Sequence, residues 1–252
     1  MKEAVVITGA SSGIGEATAY KFASEGFDLL LIGRSSEKLD KVKAQAQSRN
    51  INIKIETLAM DLKEFDATKL QEKLSKLSKP IILVNNAGVY TKNKPDDSSM
   101  IVWQDMFDVN LFGSVKITQA LWPIFKDNKK GSIVNVASTS GIKPVPNTSA
   151  YSASKAAMVN WTICLAQEGG EFNIRANVIC PGIIETPLHG FYSAKASEKD
   201  KFHAGITDLQ LLKKIGRPEY IAESIFFFGS EQSTWTTGAV HNIDGGILAK
   251  NV

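Results

Sequence analysis

Two cysteines and three histidines in 252 residues leave little for metal or thiol chemistry. Cys164 and Cys180 both stand in apolar surroundings, which suits small buried side chains better than a disulfide. His189, His203 and His241 lie far apart, without metal-ligand spacing or an acidic neighbour. Excess charge is scarce too: 29 Lys and Arg against 26 Asp and Glu leave +3, too little to point to nucleic acid. The lysines alternate with acids along helical stretches and read as solvated faces. No apolar run is long enough to cross a bilayer. The opening MKEAVVITGA offers one lysine and a brief apolar stretch before a glycine. That is too short for a signal-peptide core and reads as a first strand. No proline-rich, charged or repetitive linker divides the chain, so residues 1–252 read as a single cytoplasmic domain.

What is present is alternation. Short apolar runs at 4–8, 28–32, 51–58, 81–85, 132–137, 175–179 and 239–243 are separated by amphipathic stretches near 14–25, 36–49, 66–77, 104–126, 151–168 and 218–228. The runs are almost continuous in Val, Ile and Leu, as in strands covered on both faces. Strand–helix alternation of this kind predicts a doubly wound α/β fold with a mostly parallel, seven-stranded sheet. One long stretch, 186–216, has no clean period and is expected to be a functional loop.

The first run ends in Thr8-Gly9-Ala10-Ser11-Ser12-Gly13-Ile14-Gly15 and enters a helix. Glycines there allow a tight turn and a close backbone approach to a pyrophosphate, and the helix start offers free N–H groups. The spacing is GxxxGxG rather than GxGxxG. About twenty residues on, dinucleotide folds place the group that reads the adenosine ribose. Here the second strand runs into Gly33-Arg34-Ser35 with no acid. Arg34 can fork onto a 2′-phosphate, with Ser35 and Ser12 as further donors, so NADP(H) is preferred and NAD(H) stays admissible.

In SAYSASK (149–155), Tyr151 and Lys155 stand one helical turn apart among alanine and serine. A phenol beside a fixed ammonium ionises more readily, so the pair has the makings of a proton donor.

With these residues in view, the chain resembles the short-chain dehydrogenase/reductase superfamily in its compact form over residues 4 to 246. The resemblance is carried by Thr8 to Gly15, Asp61-Leu62, Asn85-Asn86-Ala87-Gly88, Asn110, Ser138, Tyr151 with Lys155, Pro181-Gly182 with Thr186, and NIDGG at 242–246. The last is typical of members similar to 3-oxoacyl-carrier-protein reductases. The resemblance implies a catalytic set: Tyr151 as general acid/base, Ser138 holding the substrate oxygen, Lys155 on the nicotinamide ribose and lowering the tyrosine pKa, and Asn110 anchoring a water. It also implies cofactor contacts from Gly9, Ser11, Ser12, Gly13, Ile14 and Gly15. Arg34 and Ser35 are expected at the adenosine ribose, and Asp61 and Leu62 at adenine. Asn86, Ala87 and Gly88 would wall the ribose, although Asn86 also suits a plain turn. Pro181, Gly182, Ile184 and Thr186 are expected at the nicotinamide. Ser140 is a second hydroxyl near Ser138, and the thirteen residues between Ser138 and Tyr151 favour Ser138.

These residues leave the substrate as a carbonyl or secondary alcohol. Leu188, Phe191, Tyr192, Phe202 and Ile206 are candidate apolar contacts, and Lys195, Lys199 and Lys201 leave an acidic carrier admissible. Leu111, Val115, Trp122, Phe125, Met158 and Trp161 are either core or the face of a homodimer or homotetramer. An NADP(H)-dependent ketoreductase is the expected function. A hydroxysteroid- or sugar-alcohol-type dehydrogenase is the alternative within enzymes, and a non-catalytic dinucleotide sensor the alternative outside them.

Overall fold

The computed structural model describes residues 3–96, 98–189, 205 and 207–250. Seven strands form one sheet: β1 (Glu3–Thr8), β2 (Asp28–Gly33), β3 (Ile55–Ala59), β4 (Lys79–Asn85), β5 (Gly131–Val136), β6 (Ile174–Pro181) and β7 (Val240–Ile243). Their order is β3-β2-β1-β4-β5-β6-β7, and every neighbouring pair is parallel. The helices are α1 (Gly13–Ser24), α2 (Ser36–Arg49), α3 (Ala67–Leu74), α4 (Met100–Phe107), α5 (Gly113–Asn128), α6 (Ser149–Gly169) and α7 (Pro218–Gly229).

Alternate side chains of each strand face opposite layers, which is why the strands are apolar throughout. Val5, Ile7, Leu29 and Leu31 pack with Phe22 of α1, Leu39 of α2 and Ile225 of α7. Val6, Leu30, Ile32 and Leu83 pack with Leu70 of α3, Phe125 of α5 and Leu165 of α6 on the other side. Each fully buried side chain of this size contributes about 1.5–3 kcal/mol. Phe22 meets Phe27 and Phe226 edge to face at 5.3 and 5.2 Å, so Phe22→Ala would open the α1–α7 layer.

Two elements and one cysteine depart from the sequence reading. The run 51–58 starts as a turn in which the Asn52 N–H donates to Asn50 Oδ1 (3.0 Å), and pairing begins only at Ile55. The stretch 104–126 is two helices: α4 starts at Met100 and hands over to α5 through a π-helical turn, Asp108–Phe112. Cys180 is buried, but Cys164 is exposed on α6, so only one cysteine packs as expected. Of the apolar candidates on α5 and α6, Phe125 and Met158 are core, while Trp122 and Trp161 are half-buried against it. Phe191, Tyr192, Phe202, Ile206, His203 and the three loop lysines lie outside the described residues.

The sheet order reverses between β1 and β4, whose helical crossovers leave on opposite faces. A crevice therefore opens at the carboxyl ends of the strands there.

Candidate active site

A cleft of about 510 Å³ runs along that edge, lined by the turns that follow β1 to β6. At its centre, Gly9 takes φ +64°, and a Cβ there would lie 2.8 Å from Ala87 Cα. A Cβ on Gly15 would collide with the Gly9 carbonyl and come within 2.6 Å of Asn86 Nδ2. The two turns are thus pressed together in a way only glycine permits. Ser12 sits at the N-cap of α1, yet its hydroxyl makes no capping bond, so it and the helix-start N–H groups face the cleft. Gly9, Ser11, Ser12, Gly13 and Ile14 line the cleft, while Gly15 lies behind it as a spacer.

Asn86 is a tie between turns. Its Nδ2 donates to the carbonyls of Thr8 (3.0 Å) and Gly9 (3.3 Å), and the N–H groups of Asn86 and Ala87 share Thr8 Oγ1 at 3.0 Å. The turn reading therefore holds for its side chain, although Asn86, Ala87 and Gly88 all line the cleft.

At the β2 end the cleft is lined by Arg34, Ser35, Asp61 and Leu62, as expected. Ser35 caps α2 by accepting from the Lys38 N–H (3.3 Å), which leaves its own O–H free to donate elsewhere. Asp61 accepts from the Lys63 N–H (2.9 Å) and holds the turn after β3. Lys38 lines the same end and was missed. The signal was present, because Arg34 and Lys38 are four residues apart at a helix start.

At the opposite end Ser138, Tyr151 and Lys155 converge. Ser138 follows β5 and accepts from the Ser140 N–H (3.1 Å); Ser138 lines the cleft, and Ser140 is absent from its lining. Tyr151 and Lys155, on α6, are 4% and 3% exposed. Lys155 Nζ donates to the Val136 carbonyl (2.9 Å) and sits 5.9 Å from the Tyr151 ring centroid. Three further bonds tie the helices to the sheet: Asn135 Nδ2 donates to Thr162 Oγ1 (2.8 Å), and Asn85 Nδ2 donates to Asn135 Oδ1 (2.9 Å) and Thr118 Oγ1 (3.2 Å). This buried polar chain fixes α5 and α6 to β4 and β5.

Asn110 is wholly buried in the π-helical turn. Its Oδ1 accepts from the Val89 N–H (2.8 Å), and its Nδ2 donates to the Val89 carbonyl (3.1 Å) and Ser154 Oγ (3.0 Å). Ser154 Oγ in turn donates to the Tyr151 carbonyl (2.7 Å). Asn110 therefore clasps the β4 turn to α6, one layer behind the cleft wall. The extra residue of the π turn is what aims it there.

Burial sets the acidities. It pushes the Tyr151 phenol up to about 12, against which the hydrogen bond from Ser138 works in the lowering direction. It draws the Lys155 ammonium down to about 8. The expected lowering of the tyrosine by Lys155 is thus overridden: Lys155 spends a donor on Val136, and desolvation dominates both groups. Tyr90, also missed, lines the cleft with its ring edge to face against Tyr151 at 5.0 Å. Pro181, Gly182, Ile184 and Thr186 form the remaining wall, where Thr186 Cγ2 lies 3.0 Å from the Cβ position of Gly13. A bridge to Gly216 uses the groups of Ile183 and Glu185, leaving Ile184's own N–H and C=O outside it.

Residues 3–197 match the short chain dehydrogenase family model. The chain belongs to this family. It is 34% identical over 250 residues to a 3-oxoacyl-[acyl-carrier-protein] reductase of Thermotoga maritima, covering 96% of both chains. It is 31% identical over 248 residues to a meso-2,3-butanediol dehydrogenase of Serratia marcescens, covering 98% of this chain and 95% of that one. Among solved structures, L-sorbose reductase from Gluconobacter frateurii, complexed with NADPH and L-sorbose, superposes with a TM-score of 0.91 at 27% identity, covering 99% and 98%. This short-chain dehydrogenase is an oxidoreductase acting between CH–OH and C=O.

Proposed function

We propose that this short-chain dehydrogenase is an NADP(H)-dependent ketoreductase with Tyr151 as its general acid. The observation that carries the reading is a single cleft with cations at one end, Arg34 and Lys38, and a buried Ser138–Tyr151–Lys155 group at the other. The residues fit a dinucleotide: the Gly9–Gly15 approach clears the backbone for a pyrophosphate, and Ser12 with the start of α1 offers donors to it. The cofactor supplies the hydride when bound.

The chain's own residues do the rest. Tyr151 gives the substrate oxygen its proton; burial keeps the phenol protonated at neutral pH, at a cost in acid strength. Ser138 donates to the same oxygen as negative charge develops on it. Lys155 holds the nicotinamide ribose and faces the phenol with positive charge below about pH 8. Asn110 fixes the turn that carries Gly88, whose Cβ position lies 3.2 Å from Asn110 Oδ1 and 3.5 Å from Lys155 Nζ. Ile184 and Thr186 hold the nicotinamide carboxamide. The protonated phenol is the form that reduction consumes. The oxidative alternative is supported by the likeness to a butanediol dehydrogenase.

Purified protein assayed with NADPH against ketones, aldehydes and 3-oxoacyl thioesters, and with NADP⁺ against the matching alcohols, tests this directly. Turnover of NADPH with at least one ketone is expected. Faster oxidation than reduction at neutral pH would favour the dehydrogenase reading, and no turnover with any substrate would favour a sensor. The cytoplasm suits such an enzyme, and no described helix is long and apolar enough to cross a membrane. A homodimer or homotetramer would use the half-buried Trp122 and Trp161 faces, and light scattering of the purified protein measures it.

A further inference from the structure

A second cavity, of about 280 Å³, shares one wall with the cleft: Ile184 lines both. It is assembled by backbone bonds between distant turns. Glu185 N–H donates to the Gly216 carbonyl (2.9 Å), Gly216 N–H to Ile183 (3.0 Å), and Leu212 N–H to Gly245 (3.0 Å). The walls so formed, Ile184, Leu212 and Ile243, are apolar.

One polar side chain in this cavity is unsatisfied. Gln210 is 1% exposed, and the turn at Gly245 (φ +62°) is shaped around it: a Cβ there would lie 2.6 Å from Gln210 Oε1. Yet Gln210 Nε2 is buried without a hydrogen-bond partner among the described residues. A buried amide donor left unpaired is costly, and an acceptor oxygen from a ligand would relieve it. The exposed Lys214 also lines the cavity, its Nζ 5.1 Å from the Tyr220 ring, and Arg217 stands 4.9 Å from the same ring. Asp244 is the one acid in the lining among the described residues, and its two oxygens are taken by the N–H groups of Gly246 (2.8 Å) and Leu248 (2.9 Å).

We propose that this cavity binds a medium-chain carboxylate of about six to ten carbons, the volume being at the small end for ligand sites. The carboxylate accepts from Gln210 Nε2 and faces the Lys214 ammonium, while the alkyl chain lies on Ile184, Leu212 and Ile243. A phosphate would need more donors than one amide and one exposed ammonium. A neutral alcohol would leave the cation unused.

Isothermal titration calorimetry with sodium octanoate tests the site, and it does not depend on turnover or on the proposed reaction. One-to-one saturable binding is expected. From hexanoate to octanoate, affinity should rise about fourfold per methylene and level off once the cavity is full. Octanol should bind more weakly than octanoate. Gln210→Leu, close in shape, should weaken binding about tenfold or more, and Lys214→Ala about threefold. Leu212→Trp, made from an exposed position at the cavity wall, should block binding even if Gln210→Leu folds poorly. Tyr151→Phe should leave octanoate binding unchanged. Absence of saturable binding overturns the proposal. So does affinity indifferent to both Gln210→Leu and Leu212→Trp, or binding lost in Tyr151→Phe, which would put the ligand in the main cleft.

Discussion

At one end of the cleft Arg34 and Lys38 stand exposed in solvent; at the other, Tyr151 and Lys155 are 4% and 3% exposed. The exposed pair is screened by water and salt. The buried pair is governed by desolvation, which moves both groups toward their neutral forms. Affinity can be adjusted at the exposed end in small steps. At the buried end each side chain would, on the proposed function, carry a large part of the chemistry, and burial adds a cost in stability. Substitutions at the two ends should therefore differ in size and in kind.

The largest effect is expected from Tyr151→Phe. The ring still packs against Tyr90, so the fold and cofactor affinity should hold, while loss of the proton donor lowers kcat by about 10²–10⁴-fold. Steady-state kinetics together with a cofactor titration check it. A variant with near-normal kcat would remove Tyr151 from the acid role.

Lys155→Met should break activity and raise stability together. It replaces a buried ammonium with a side chain of similar length, worth roughly 1–3 kcal/mol at pH 7. The sign follows from linkage. An unfolded lysine holds its proton to about 10.5, while the folded one releases it near 8, so between those values the unfolded chain binds more protons and stability rises with pH. The burial cost is present in full below about 8 and is gone above 10.5. The gain in Tm for Lys155→Met should therefore be greatest at pH 7 and shrink as pH approaches 10. A gain independent of pH would mean that the ammonium is not what the fold resists.

The same acidities set a pH profile for wild type. The proposed reduction requires Tyr151 protonated, which holds to about 12, and Lys155 charged, which holds only to about 8. The kcat/KM for reduction should thus fall above about pH 8, on the lysine rather than the tyrosine. A profile flat to pH 10 would show that a bound cofactor restores the Lys155 charge.

Sequence made the cleft legible wherever a residue type alone carries the information. Gly9, Gly15, Tyr151 and Lys155 could be singled out because few other residues suit a tight turn or a phenol–ammonium pair, whereas Ser138 was singled out by the family resemblance. The succession of strands along the chain was legible because parallel strands are buried on both faces. Three features were not. The π turn at 108–112 has no compositional mark, because DVNLF suits an α-helix equally well, and only the packing of Asn110 against Val89 and Ser154 selects it. The rise in the Tyr151 pKa depends on burial, which the four-residue spacing to Lys155 does not report. Asn86 has the right amide for a ligand wall, yet its two donor bonds go to Thr8 and Gly9, partners 78 and 77 residues away in sequence.

The smallest effects belong to the exposed end, where they come in two sizes. Arg34 can fork onto an adenosine 2′-phosphate, and β2 ends without an acid to repel one. Arg34→Ala should therefore weaken NADP(H) about tenfold while leaving NAD(H) nearly unchanged. Lys38 offers a point charge on a flexible stem from the first turns of α2, so Lys38→Ala should cost only about threefold. Both losses should shrink as salt rises from 0.05 to about 0.5 M, because exposed charges lose their reach as the Debye length falls. Gly33→Asp is a poor way to reverse the cofactor preference, since its Cβ would sit 3.2 Å from Ser11 Oγ and 3.3 Å from Leu39 Cδ2 of α2. Fluorescence titration of NADPH and NADH into wild type and both variants at two salt concentrations measures all of this. A wild type that binds both cofactors equally, or a preference untouched by either substitution, would mean that the exposed cations face solvent and the cleft reads its cofactor elsewhere.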